Sequence, residues 1–201
     1  MTTRPISHRY LTQAAYTVEP WKNGRGSTDI IAEQRVDNAP GEGWDGFVWR
    51  LARTEIAAAL PFSDHTGFER HQVVIEGEGL YLDSASGMID LSRPLKPVQY
   101  GGELKIVSRL ETGPVKVLNL MVDRRLARGE MIAMTSDATA ELPAGTHVAF
   151  AVAGVVRIAI EGIEIDIAAD DAVVLAATTS VTVNVRRGAV VLSSIYPSRT
   201  H

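Results

Sequence analysis

From Arg157 to Ile167 the chain alternates apolar residues with polar or small ones on both sides of a Glu161-Gly162 pair. A period of two is the period of a strand, and an acidic residue followed by glycine suits a two-residue hairpin turn. A lone hairpin is marginal in water and needs further strands with which to share a buried face. The remaining sequence supplies them. Residues 47–56, 72–75, 104–107 and 115–122 are short runs rich in Val, Ile, Leu and aromatics, parted by Gly77-Glu78-Gly79, Gly101-Gly102 and Thr112-Gly113-Pro114. After Arg128 the runs 148–152, 155–160, 163–167, 172–175, 181–185 and 190–195 follow closely, with Gly154, Gly162 and Gly188 at bends. No sustained 3.6-residue periodicity competes, and the best helical candidate is a short turn at 127–132. The pattern predicts an all-β chain of sandwich or barrel type.

Two halves built from the same kind of strand, 1–126 and 127–201, suggest a duplicated β-barrel, although no sequence repeat links them. The second half is rich in Ala, Val and Ile with simple turns. The first holds all three Trp residues and the unusual polar clusters, so specific chemistry is expected there. The absence of cysteine removes disulfides, thiol nucleophiles and Cys-ligated metals, and it suits a reducing cytosol. A formal net charge of −4 argues against a nucleic-acid partner. The N-terminal residues lack a continuous apolar stretch, and the most apolar region carries Arg157, Glu161, Glu164 and Asp166. A cytoplasmic protein with neither signal peptide nor membrane partner is the expectation.

Three segments offer candidate binding residues. In Trp21-Lys22-Asn23-Gly24-Arg25-Gly26-Ser27-Thr28, two glycines permit close backbone approach. The amides could meet an anion, or Trp21 could simply pack as a lid over a tight loop. On a strand, Arg50, Ala52, Thr54 and Ile56 share one face. The small neighbours leave room for the Arg50 guanidinium to hold a carboxylate, or Arg50 could pair with Glu55 or Glu76. Asn119 interrupts the apolar run 115–122, and a polar amide there needs partners, either from the backbone or from a ligand in a cavity. The segment 61–79 adds Ser63, His65, Arg70, His71 and Glu76, with Arg70, Gln72, Val74 and Glu76 on one strand face and His71 on the other. Ser63-Asp64-His65 are sequence neighbours, which is no evidence for a catalytic triad. A Walker loop and a Gly-x-Ser-x-Gly elbow are both missing from the sequence.

In order and spacing, Trp21-Lys22-Asn23-Gly24-x-Gly26-x-Thr28, Trp49-Arg50-Leu51, Phe62-Ser63, Gly67-x-x-Arg70, Glu76-Gly77-x-Gly79 and Gly113-Pro114 to Asn119-Leu120-Met121 resemble the HutD/Ves family. The resemblance runs from about Trp21 to Arg124. It implies a bicupin, two cupin-like barrels in one chain, without the usual cupin metal set. That set has two His one residue apart on a strand, a Glu shortly after and a later His, whereas five residues separate His65 from His71 here. The resemblance further implies a metal-independent binder of a small carboxylate metabolite, such as formylglutamate or urocanate, regulating histidine utilisation. In this reading Arg50 and Arg70 anchor carboxylate oxygens and Asn119 and Ser63 bond amide or formyl groups. Trp21 with Asn23, Gly24 and Gly26 covers the mouth, and Glu76 lies on the Arg70 face. No cofactor and no catalytic residue are expected. The alternative is a metal-dependent cupin enzyme with His65, His71 and Glu76 as ligands, and a homodimer formed through the second half is a further possibility. Where family members often have Phe-Ser-x-Phe-Pro-Gly, this chain has Phe62-Ser63-Asp64-His65-Thr66-Gly67.

Overall fold

The structure, a computed structural model, describes residues 6–21, 26–37, 44 and 46–198. Apart from a 3-10 turn at Gln13–Ala15, its regular elements are strands. In chain order these are β1 (Ile6–Leu11), β2 (Thr17–Pro20), β3 (Ser27–Arg35), β4 (Phe47–Ile56), β5 (Phe68–Glu76), β6 (Leu80–Ser84), β7 (Gly87–Leu91) and β8 (Val98–Gly101). They continue as β9 (Ile106–Leu110), β10 (Val115–Asp123), β11 (Ala127–Thr135), β12 (Thr139–Leu142), β13 (Gly145–Ile160), β14 (Ile163–Ile167), β15 (Ala172–Ala177) and β16 (Val181–Pro197). The chain is all-β, as its alternation predicts. No helix among the described residues is long and apolar enough to cross a membrane.

Two compact units form, one from Glu130–Pro197 with residues up to Tyr16, the other from Thr17–Gly129. In the first, the sheet order is β1-β15-β13-β16-β11, with β12 on β16 and β14 on β13. The expected hairpin is present: Ile160 pairs with Ile163 across Glu161 and Gly162, both at positive φ (48° and 79°), the requirement of a type I′ turn. The runs 148–152 and 155–160 are one strand, β13, because Gly154 absorbs the bend at φ +62° inside shifted pairing with β16. Its core stacks Val156, Ile158, Ile160, Ile167, Leu175, Val183 and Leu192.

Two expectations change at the ends of this unit. Residues 127–132, the candidate helical turn, lie in β11, where Ala127, Met131 and Met134 are buried and long-range sheet pairing outweighs local preference. The first described strand, β1, pairs antiparallel with β15 and so joins the C-terminal unit. The Tyr10 hydroxyl accepts from the Ala168 N–H (2.9 Å) and donates to Asp171 Oδ2 (3.1 Å), and the Tyr16 hydroxyl donates to the Asp170 carbonyl (2.8 Å).

The second unit places a sheet β2-β3-β4-β10-β5-β8 against a smaller sheet β7-β6-β9. Between them Ile56, Val74, Val115 and Val117 from the large sheet pack on Leu80, Leu82, Leu91 and Ile106 from the small one. This aliphatic filling occupies one end of the interior. Along the same inward strand faces, β10 proceeds from Val117 to Asn119 and Met121, and β5 runs back from Val74 to Gln72 and Arg70. There the interior is left open.

Candidate functional site

The opening is a half-open cavity of about 620 Å³, lined by β4 through Arg50, Ala52, Thr54 and Ile56, by β5 through Arg70 and Gln72, and by β10 through Asn119 and Met121. Leu60, Pro61, Phe62, Ser63, Asp64 and His65 form one rim, and Glu19, Pro20, Trp21 and Trp44 another. Ala52 and Thr54 are short enough to leave space above β4 that larger strand residues would fill.

Arg70 defines the electrostatics. It is 8% exposed, and among the described residues it has no carboxylate partner. Its Nε is buried without a hydrogen-bond partner, and its guanidinium lies 4.9 Å from the Phe62 ring and 5.3 Å from the Tyr100 ring. Burial pulls its pKa down, and a guanidinium stays charged even so. Asn119 Oδ1 and His65 Nδ1 are likewise buried and unpartnered. Each such atom costs about 1–3 kcal/mol when left unpaired. Three such atoms on residues that line one cavity, two on its strands and one on its rim, are groups that a ligand could satisfy. Burial, then the charge of Arg70, holds the His65 pKa at about 4, so its imidazole is neutral near pH 7.

Other polar groups of the wall are already satisfied. The Tyr100 hydroxyl donates to Gln72 Oε1 (2.5 Å), and burial raises the Tyr100 pKa. Trp21 Nε1 donates to Thr28 Oγ1 (2.9 Å), which stands 3.1 Å from Thr54 Oγ1. Trp21 packs on Gly26, where a Cβ would lie 3.1 Å from its ring, and the Trp21 N–H donates to the Gly26 carbonyl (2.9 Å). Ser63 is exposed on the rim. Asn23 and Gly24 lie outside the described residues.

Arg50 does share the inward face with Ala52, Thr54 and Ile56, but its guanidinium is occupied. Its Nε donates to Glu33 Oε2 (2.8 Å), and its Nη1 and Nη2 reach both oxygens of Glu19 (2.9 and 3.2 Å). Neither Glu55 nor Glu76 is its partner. Two carboxylates neutralise it, so it contributes structure to the wall and little free positive charge. The sequence could not indicate this, because Glu19 and Glu33 arrive from β2 and β3 through strand register.

Glu76 is displaced from the site. It lies two residues past Val74 of the aliphatic filling, at a shift in the β10–β5 register between Lys116 and Val117, where it is exposed and accepts from Lys116 Nζ (2.7 Å). His71 points away from the cavity, buried beside Gly129, with Nε2 3.2 Å from Glu69 Oε2. The candidate ligand set His65, His71 and Glu76 therefore does not converge, and no cluster of three His, Asp or Glu among the described residues could hold a metal ion.

The chain is similar to known proteins along most of its length. The HutD family model matches residues 13–193. A curated Pseudomonas putida relative, an uncharacterised 21.2 kDa protein in the hutC 3' region, is 32% identical over 157 residues, covering 75% of this chain and 76% of its own. A structure of HutD from Pseudomonas fluorescens SBW25, in a formate condition, superposes with a TM-score of 0.78 at 25% identity, over 96% of this chain and all of that one (100%). A conserved protein of unknown function from Pseudomonas aeruginosa PAO1 gives 0.82 at 23%, over 96% and 100%. The cupin-like fold extends to a salicylate 1,2-dioxygenase from Pseudoaminobacter salicylatoxidans at a TM-score of 0.59 and 9% identity, over 98% of this chain and 87% of that one. With the family match spanning both units and the relative a third identical along three quarters of the sequence, this chain belongs to the HutD family.

Proposed function

We propose that the cavity binds a small carboxylate metabolite without a metal ion, and that this binding serves a regulatory role in histidine utilisation. The supporting observation is Arg70, a nearly buried cation facing the cavity with no carboxylate partner among the described residues. A carboxylate on Arg70 would supply the missing counter-charge in a low-dielectric setting, where charge-assisted bonds are strongest. Asn119 Oδ1 calls for a donor on the same ligand. Trp21 and the rim residues 60–65 would cover it. We read the two units as two cupin-like barrels, the second unit holding the ligand. A cytoplasmic setting suits a chain without cysteine.

The family and the hutC neighbourhood of the P. putida relative suggest which acids to test first. A thermal-shift panel of urocanate, formylglutamate, glutamate and histidine is the direct experiment. A true ligand at a hundred times its Kd adds about 2.7 kcal/mol, which for a protein of this size raises Tm by about 5–10 °C. A panel in which no acid moves Tm at millimolar concentration contradicts the proposal.

A further inference from the structure

With Arg70 and Asn119 assigned, one unpartnered atom of the wall, His65 Nδ1, has no stated use. His65 stands on the loop between β4 and β5, and its backbone is held on both sides. Its N–H donates to the Gly102 carbonyl (3.0 Å), and its own carbonyl accepts from the Phe68 N–H (3.0 Å). Gly102 packs so tightly on that carbonyl that a Cβ would collide with it. The imidazole is fixed edge-on against Trp44, ring centroids 4.5 Å apart at 69°, and Trp44 packs in turn on Phe47 (5.3 Å) and Phe68 (5.5 Å). In this position the ring keeps its Nδ1 buried and without a partner. Fixed placement of a polar group in an apolar bracket is how binding sites set orientation and specificity.

The charge state narrows the chemistry. Burial and the neighbouring Arg70 keep the imidazole neutral near pH 7. One ring nitrogen then donates and the other accepts, so the ring suits an uncharged polar group rather than a second carboxylate. We infer that His65 is a third recognition group of this cavity, selecting acids that also carry an amide or hydroxyl over acids whose remainder is alkyl. This rests on the carboxylate reading above and specifies which carboxylates the site prefers.

Isothermal titration at pH 7 with N-acetylglycine and pentanoate tests it. The two acids match in chain length and differ in having an amide or plain methylenes. The proteins are wild type, His65→Phe, which keeps a ring against Trp44, His65→Asn, whose amide falls near the Nδ1 position, and His65→Gln, which overshoots it. Wild type is expected to prefer N-acetylglycine by about tenfold, the worth of one well-placed hydrogen bond. The preference should vanish in His65→Phe and His65→Gln with pentanoate affinity retained, and partly return in His65→Asn. His65→Gln carries the comparison if His65→Phe does not fold. An unchanged preference in the folded variants overturns the inference and leaves the carboxylate reading standing. Equal loss of both acids in Phe, Gln and Asn variants also overturns it, because a merely structural role acts that way. Failure of both acids to bind wild type overturns the carboxylate reading itself.

Discussion

A guanidinium taken out of water costs several kilocalories per mole unless other groups replace the lost solvation. Asp29 does this for Arg53 (2.7 Å), and Glu19 and Glu33 do it for Arg50. At Arg70 two aromatic rings lie in reach instead. That contrast was half visible beforehand. Strand alternation showed which residues share a face with Arg50 and with Arg70, but their different partners depend on strands far away in sequence. His65 has a separate consequence for stability. An imidazole titrates near 6.5 in the unfolded chain and at about 4 here. Between those values the unfolded chain holds the proton and the folded one does not, so stability falls as pH falls through that window. Burial lowers the His147 pKa against the opposing pull of the Pro143 carbonyl and Glu130, which adds to the same slope. Melting curves from pH 7 down to pH 4.5 are expected to show Tm decreasing, and less steeply in His65→Phe. Parallel curves for the two proteins would contradict the placement of that ring.

At the level of elements, β5 shows why period two is informative and where it stops being so. It delivers Arg70 and Gln72 inward and turns His71 away, as alternation requires. The shifted register near Glu76 is invisible in the sequence, and Glu76 itself lies past Val74 and the aliphatic filling, outside the cavity. The turns differ in a testable way. Gly162 needs positive φ (79°) but has open space where a Cβ would go. Gly162→Ala should therefore cost about 1 kcal/mol, the left-handed penalty alone. Gly102 faces backbone, the His65 and Phe68 carbonyls. Gly102→Ala must shift the 61–68 loop, and is expected to cost more, about 2–4 kcal/mol, the range of a core overpacking with backbone movement. Denaturant midpoints of the two variants decide the order, and a Gly102→Ala protein as stable as Gly162→Ala would count against this loop geometry.

Across the whole molecule, the all-β class was legible in the sequence, because it follows from local alternation. Sheet membership was not. That β1 joins the unit formed by Glu130–Pro197 depends on a pairing with β15 from the far end of the chain, which no local pattern encodes. The cavity itself follows from side-chain size along continuous strands, with Val115 and Val117 filling one end and Asn119, Ala52 and Thr54 leaving the other open. A bound acid should accordingly slow hydrogen exchange in β4, β5 and β10 while leaving β13 to β16 unchanged. Protection confined to β13 to β16 would place the ligand in the other unit.

Titration of the most stabilising acid into Arg70→Met, calorimetrically and beside wild type, addresses the unpaired cation directly. Removing a buried charge without a counter-ion leaves the unliganded variant folded, with a Tm at or above that of wild type. Its affinity should fall about 30-fold or more, the loss of a charge-assisted bond worth roughly 2 kcal/mol. An Arg70→Met protein that is folded and binds the acid as tightly as wild type would contradict the account.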